Sequence, residues 1–257
     1  GAHAPAERDL IARLQAERKG VAFQNHSAEE VLDYWQLYYA VRDFLAAQEA
    51  LLIEKGGATD YAIAQRIAEI IRQYSTYIAQ DEFLLQVEFR DQFSARNVDW
   101  CLRQLGEDSK IALWAHNGHV VKKSVLASYD ILGYYLSEWF EEAYYAIGFT
   151  FNSGAFGAFS NEGFKQWTLP RVETPSLTQA LSAYQRPYLL WDLRSNLAAV
   201  ADRPDSPLYQ PLPIRTDVAE SYRAAQSPLM DINLSKSYDC LIYIDATHYP
   251  TTIEWMR

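Results

Sequence analysis

Ile111-Ala112-Leu113-Trp114-Ala115 is a short apolar run that stops abruptly at His116-Asn117-Gly118-His119. A run of this length reads as a buried strand, and open α/β sheets deliver polar side chains at the C-terminal ends of their strands. The chemistry is therefore expected there. Residues three apart on a strand face opposite sides, whereas on a helical turn they share one side. His116 and His119 can thus converge only where the strand has ended, and Asn117-Gly118 are turn-favouring residues that make such an ending. Neutral imidazoles placed this way serve as general base, hydrogen-bond donor or metal ligand. The plain alternative is a pair of core or capping residues.

Strands and helices alternate along the rest of the chain. Val31, Tyr34, Tyr38, Val41 and Leu45 repeat at spacings of three and four, as do Ala64, Ile67, Ile71, Tyr74 and Ile78. Lys55-Gly56-Gly57-Ala58-Thr59-Asp60 between them is a turn signal, so an antiparallel helical hairpin is expected, opened by a capping box at Ser27 and Glu30. Its aromatics, Tyr34, Trp35, Tyr38, Tyr39 and Phe44, read as a packed interface rather than the wall of an apolar cleft. A helix is expected from about Glu82 to Leu105, with Phe89, Phe93 and Trp100 on its buried face and Arg90 and Asn97 projecting together from one side. Another runs through Val125, Tyr129, Leu132 and Leu136, with Ser124 as its cap. Gly133 inside it costs about 1 kcal/mol relative to Ala, which implies close backbone packing against the strand.

Residues 144–151, 188–192 and 240–245 read as strands, 153–157 as a loop, 169–182 as a turn and helix, and the Pro- and Asp-rich 202–213 as a surface loop. The expected fold is α/β: a mixed, partly parallel sheet flanked by helices, with an N-terminal helical hairpin. The helical region is placed over 1–82 and the α/β core over 83–257.

At 257 residues and 49% hydrophobic, the chain can bury a sizeable core. A formal charge of -10 disfavours nucleic acid, whose binding depends on neutralised phosphates, and no Lys/Arg stripe offsets it. Lys122-Lys123 reads as a solvated loop. No run approaches the roughly 20 apolar residues of a membrane span, and no signal-peptide pattern opens the chain. Cys101 and Cys240 lack metal-ligand spacing and read as buried free thiols, which fits a cytoplasmic setting. No cofactor is called for, and the oligomeric state is not readable.

The His116-Asn117-Gly118-His119 segment resembles the His-Asn-x-His motif of the erythromycin esterase-like family, which includes members labelled succinoglycan biosynthesis proteins. Arg90-Asp91, Asn97 and Trp100 are similar to that family's pattern on the preceding helix. Gly133, Leu136, 145–149, Gly154, 190–194 and 238–244 follow in its order, so the resemblance covers 83–245 and, more loosely, the helices before. It implies a hydrolase of a carboxylic ester or lactone. The family's Gly-Glu-x-x-His-Gly element, which supplies an acid and a histidine, has no counterpart here. Gly1-Ala2-His3-Ala4 does not fit it, and 5–20 reads as a charged helix. A fragment or processed chain is favoured over a member that has lost this half, with Gly1-Ala2-His3 in part an expression scar.

In the esterase reading an imidazole takes a proton from water while donors stabilise the oxyanion. His116 is assigned to polarising or proton-transfer duty, His119 to positioning, and Arg90 to charge stabilisation. Asn117, Asn97 and Asp91 are assigned to substrate binding or orientation. No Gly-x-Ser-x-Gly elbow supports a serine nucleophile. A metal-dependent hydrolase needs a third ligand, for which Asp192, Asp245 and His248 are candidates. Asp192 is read instead as the ion-pair partner of Arg194 or another nearby base, and His248 as a surface residue. The remaining alternative is a non-catalytic ligand-binding or polysaccharide-biosynthesis-associated protein.

Overall fold

The computed structural model describes residues 26–106, 108–123, 129–160, 163–215 and 229–249. The expected helix over 5–20 and the Ser124 cap lie outside them. The chain divides into two compact units, one ending at Phe89 and one beginning at Arg90.

In the first unit, α1 (Ala28–Ala47) opens with the capping box: the Ser27 side chain accepts from Glu30 N, and the Glu30 carboxylate accepts from Ser27 N. Helix α2 (Glu49–Ile78) is broken at Gly57, whose φ of 88° few side chains tolerate. Tyr34 meets Tyr74 edge-on and the Tyr61 hydroxyl donates to Leu45 O, so the chain after Gly57 runs back along α1 as the expected hairpin. The aromatic cluster is only partly an interface. Tyr34 is buried, but Tyr39 and Phe44 are exposed, and the Arg42 guanidinium lies over the Tyr38 and Tyr39 rings. Helix α3 (Phe83–Leu105) gives its first residues to this unit and the rest to the second.

The second unit is built on a four-stranded sheet. It is formed by β1 (Ile147–Ser160), β2 (Gly163–Leu169), β3 (Tyr188–Asp192) and β6 (Cys240–Thr247), in the order β2-β1-β6-β3. β1 and β6 are parallel and the other two pairings antiparallel, so the sheet is mixed as expected. Between β3 and β6 lie β4 (Pro211–Ile214) and β5 (Met230–Asn233), which form a separate antiparallel pair. Short helices α4 (Asn117–Val120), α5 (Leu132–Phe140), α6 (Leu177–Ser182), α7 (Leu193–Ala199) and α8 (Leu234–Ser237) complete the unit. Leu241 and Tyr243, alternate residues of β6, join Leu181, Leu193, Ile214, Ile232 and Leu234 in the core.

The opposite face carries the rows Phe149–Ile242–Leu190 and Phe151–Ile244–Tyr188. Leu190 is 72% exposed and Tyr188 68%, so apolar residues on this face stay open to solvent.

Several local expectations fail for stated reasons. Residues 111–116 carry no ladder, and Trp114 is 85% exposed, its ring tilted against that of Phe149 at 5.5 Å. The expected loop at 153–157 is strand: Gly154, with φ 125°, sits so close to Thr247 that a Cβ would lie 2.1 Å from its carbonyl oxygen. There β1 leaves β6 and continues as a hairpin with β2. The 202–213 loop ends in β4, whose Ile214 is fully buried. Cys101 is exposed, whereas Cys240 is buried as expected. Among the described residues no helix is long and apolar enough to cross a membrane.

Candidate active site

Directly after this unpaired segment, residues 117–120 make the single helical turn α4, with His116 at its N-cap. The imidazole itself caps the turn, its Nδ1 accepting from Gly118 N at 3.2 Å. The helical spacing then brings His116 and His119 to one side, ring centroids 6.4 Å apart and nearly perpendicular at 70°. Because Nδ1 of His116 is an acceptor, the neutral ring carries its proton on Nε2.

Asn117, on the same turn, is buried and pairs with the backbone of β1: Nδ2 donates to Phe149 O at 2.8 Å, and Oδ1 accepts from Phe149 N at 3.0 Å. The turn is thereby clamped to the sheet.

α3 brings Asp91 and Arg90 to His119. Asp91 is buried, and its Oδ2 lies 2.6 Å from His119 Nδ1 while also accepting from Leu132 N at 3.1 Å. Arg90 Nη2 lies 2.8 Å from His119 Nε2, and among the described residues its only other tie in the site is a long 3.4 Å contact with Asp91 Oδ1. Carboxylate, imidazole and guanidinium thus form one chain of hydrogen bonds. Asn97 sits two turns further along α3, half-buried.

Leu132 N reaches Asp91 because Gly133 lets the start of α5 press on the exit of the histidine turn. A Cβ on Gly133 would lie 2.3 Å from Val121 O and 2.5 Å from Val120 O. The close packing expected of this glycine is present, against the chain after His119. Tyr144 also holds that segment, its hydroxyl donating to Val120 O at 2.6 Å. Burial, with the charge of Asp239 second, pushes the Tyr144 ionisation well above the usual phenol range, so it remains a neutral donor.

A buried carboxylate missed by the sequence reading completes the support. Asp239 accepts from Lys122 Nζ and Arg194 Nε, each at 2.6 Å, and from Ala146 N at 2.7 Å. Lys122 is therefore an anchor of the turn and not a solvated loop residue. Arg194 pairs with Asp239 rather than with Asp192, which caps α7 by accepting from Ser195 N and Oγ. Asp245 is taken by Arg171 and Asn152, and His248 is exposed. Among the described residues no group of three or more His, Cys, Asp or Glu side chains is placed to hold a metal ion.

The sequence profile described as Erythromycin esterase matches residues 3–247. The chain belongs to the erythromycin esterase family. A crystal structure of a Bacillus cereus protein is similar to this chain at a TM-score of 0.69 and 23% identity, over 94% of this chain and 60% of that one. A crystal structure of a succinoglycan biosynthesis protein is similar at a TM-score of 0.61 and 22% identity, over 96% of this chain and 59% of the other. At these identities the two likenesses establish the fold alone, and the present chain spans about three fifths of each. No curated protein matches this chain.

Proposed function

We propose that the protein is a hydrolase of carboxylic esters or lactones in which His119 activates water. The observation that carries this reading is the 2.6 Å contact between buried Asp91 and His119 Nδ1. A carboxylate on one ring nitrogen fixes the tautomer and leaves the other as a base, the arrangement that proton transfer from water requires. His119 Nε2 takes the proton as the water oxygen bonds to the ester carbonyl carbon. The oxyanion receives a hydrogen bond from Nε2–H of His116. Collapse breaks the bond to the leaving oxygen, which recovers the proton from His119, giving acid and alcohol.

In this scheme His119 carries the proton and His116 polarises the carbonyl. Asn117, with both amide atoms on Phe149, positions the turn. The occupant is a small-molecule ester or lactone; the net charge of -10 works against nucleic acid. Hydrolysis of aryl acetates, of aryl hemisuccinates, which carry a free carboxylate, and of simple lactones by the purified chain tests the proposal. Turnover abolished in His119→Ala is the expected result. Hydrolysis of none of these faster than buffer, or hydrolysis undiminished in that variant, overturns it.

A further inference from the structure

The two ends of the His119 ring have their roles fixed by their neighbours. A carboxylate only accepts, so Nδ1 donates to Asp91; a guanidinium only donates, so Nε2 accepts from Arg90 at 2.8 Å. The ring is then the neutral Nδ1–H form, and its one basic lone pair is covered. Water cannot be deprotonated by that nitrogen until the guanidinium moves. Resting on the reading of His119 as the proton acceptor, we propose that Arg90 is a removable cap on the base, and that the substrates are esters bearing a carboxylate, which draws Arg90 off.

Three observations favour such an exchange. Arg90 has a 41% exposed side chain, so it has room to turn. Its link to Asp91 is long, at 3.4 Å, leaving the bond to a neutral imidazole as its one short tie to the described residues of the site. A carboxylate offers the planar fork two charge-assisted bonds in place of one bond to a neutral acceptor, so the transfer runs toward the ligand. Asp91 holds His119 from the other side and is itself held by Leu132 N, so the imidazole stays in place while the guanidinium leaves. A neutral ester provides no such pull and meets a covered base.

Diethyl pyrocarbonate reads the cap directly, because the imidazole lone pair attacks its carbonyl carbon and expels ethyl carbonate, independently of any turnover. Peptide mapping by mass spectrometry follows His119 against exposed His248 as the internal reference. His119 is expected to react about ten-fold more slowly than His248, as losing a bond to a charged donor costs about that factor. Arg90→Met should bring the two rates together. In the wild-type protein, monomethyl succinate should accelerate His119 modification, and the neutral dimethyl succinate should not. This arm needs no variant and stands if Arg90→Met fails to fold. Reaction of wild-type His119 at the rate of His248, or equal effects of the charged and neutral esters, overturns the cap. An ester-hydrolysing protein with an uncovered His119 loses the cap alone, whereas a covered His119 without hydrolysis retains the cap and loses the esterase reading.

Discussion

The Asp91 carboxylate and the His119 imidazole meet at 2.6 Å although 28 residues separate them in sequence. Asp91→Asn keeps the size of the side chain but lets the ring turn or take the other tautomer. Ester hydrolysis should fall about a hundred-fold or more, in kcat rather than KM, since orientation of a proton carrier is worth that much. Steady-state kinetics on an aryl ester, with thermal melting as the control for folding, checks it; a loss confined to KM would contradict the role.

Gly133→Ala tests the close approach behind the histidine turn. Alanine is the better helix former by about 1 kcal/mol, yet its methyl would stand 2.3 Å from Val121 O and force α5 away. A net destabilisation of about 2–3 kcal/mol is expected, read from urea or guanidinium unfolding. Stability raised by the substitution would show that the two backbones are free to separate.

Asp239→Asn should destabilise by about 2–3 kcal/mol, because it leaves the Lys122 ammonium and the Arg194 guanidinium without their shared anion while both remain only 23% and 33% exposed. Chemical denaturation measures the loss. Hydrolysis should drop in parallel, since Lys122 lies three residues past His119 and anchors the chain there.

Much of this site is legible in the sequence because its determinants are local. The spacing of His116 and His119 requires a helical turn, and α4 supplies it; Gly133 in a helix signals a close approach, and it makes one. What escaped depends on distant pairing. Lys122 and Asp239 are 117 residues apart, and nothing in a doublet of lysines reveals a buried acid on the far side of the fold. The run 111–115 has the composition of a strand, but composition does not supply a neighbour, so the segment forms no ladder. Gly154 looks like loop punctuation, whereas its small size serves a strand crossing onto a new partner.

Acid should loosen the far end of the sheet first. Arg171, and after it the Tyr243 hydroxyl, hold the Asp245 carboxyl down from 3.8 to about 2. A pKa depressed in the folded state contributes stability above the unfolded value and loses it as pH falls through the folded one, so the loss belongs between about pH 4 and pH 2. With Arg171 57% exposed, solvent screening limits the contribution to about 1 kcal/mol. Melting temperatures of the wild type and Asp245→Asn should differ at pH 5 and converge toward pH 2. A constant difference would assign the effect to packing.

The amide of Asn117 stands where a neighbouring strand would otherwise dock, answering both polar groups of Phe149 with a side chain that imitates a peptide unit. A sheet margin closed in this way offers no template at that point for another chain to zip onto, a hazard that exposed margins ordinarily carry. The residue that seats the histidines therefore also guards against edge-to-edge aggregation, and its loss should be felt as much in the test tube's turbidity as in the assay.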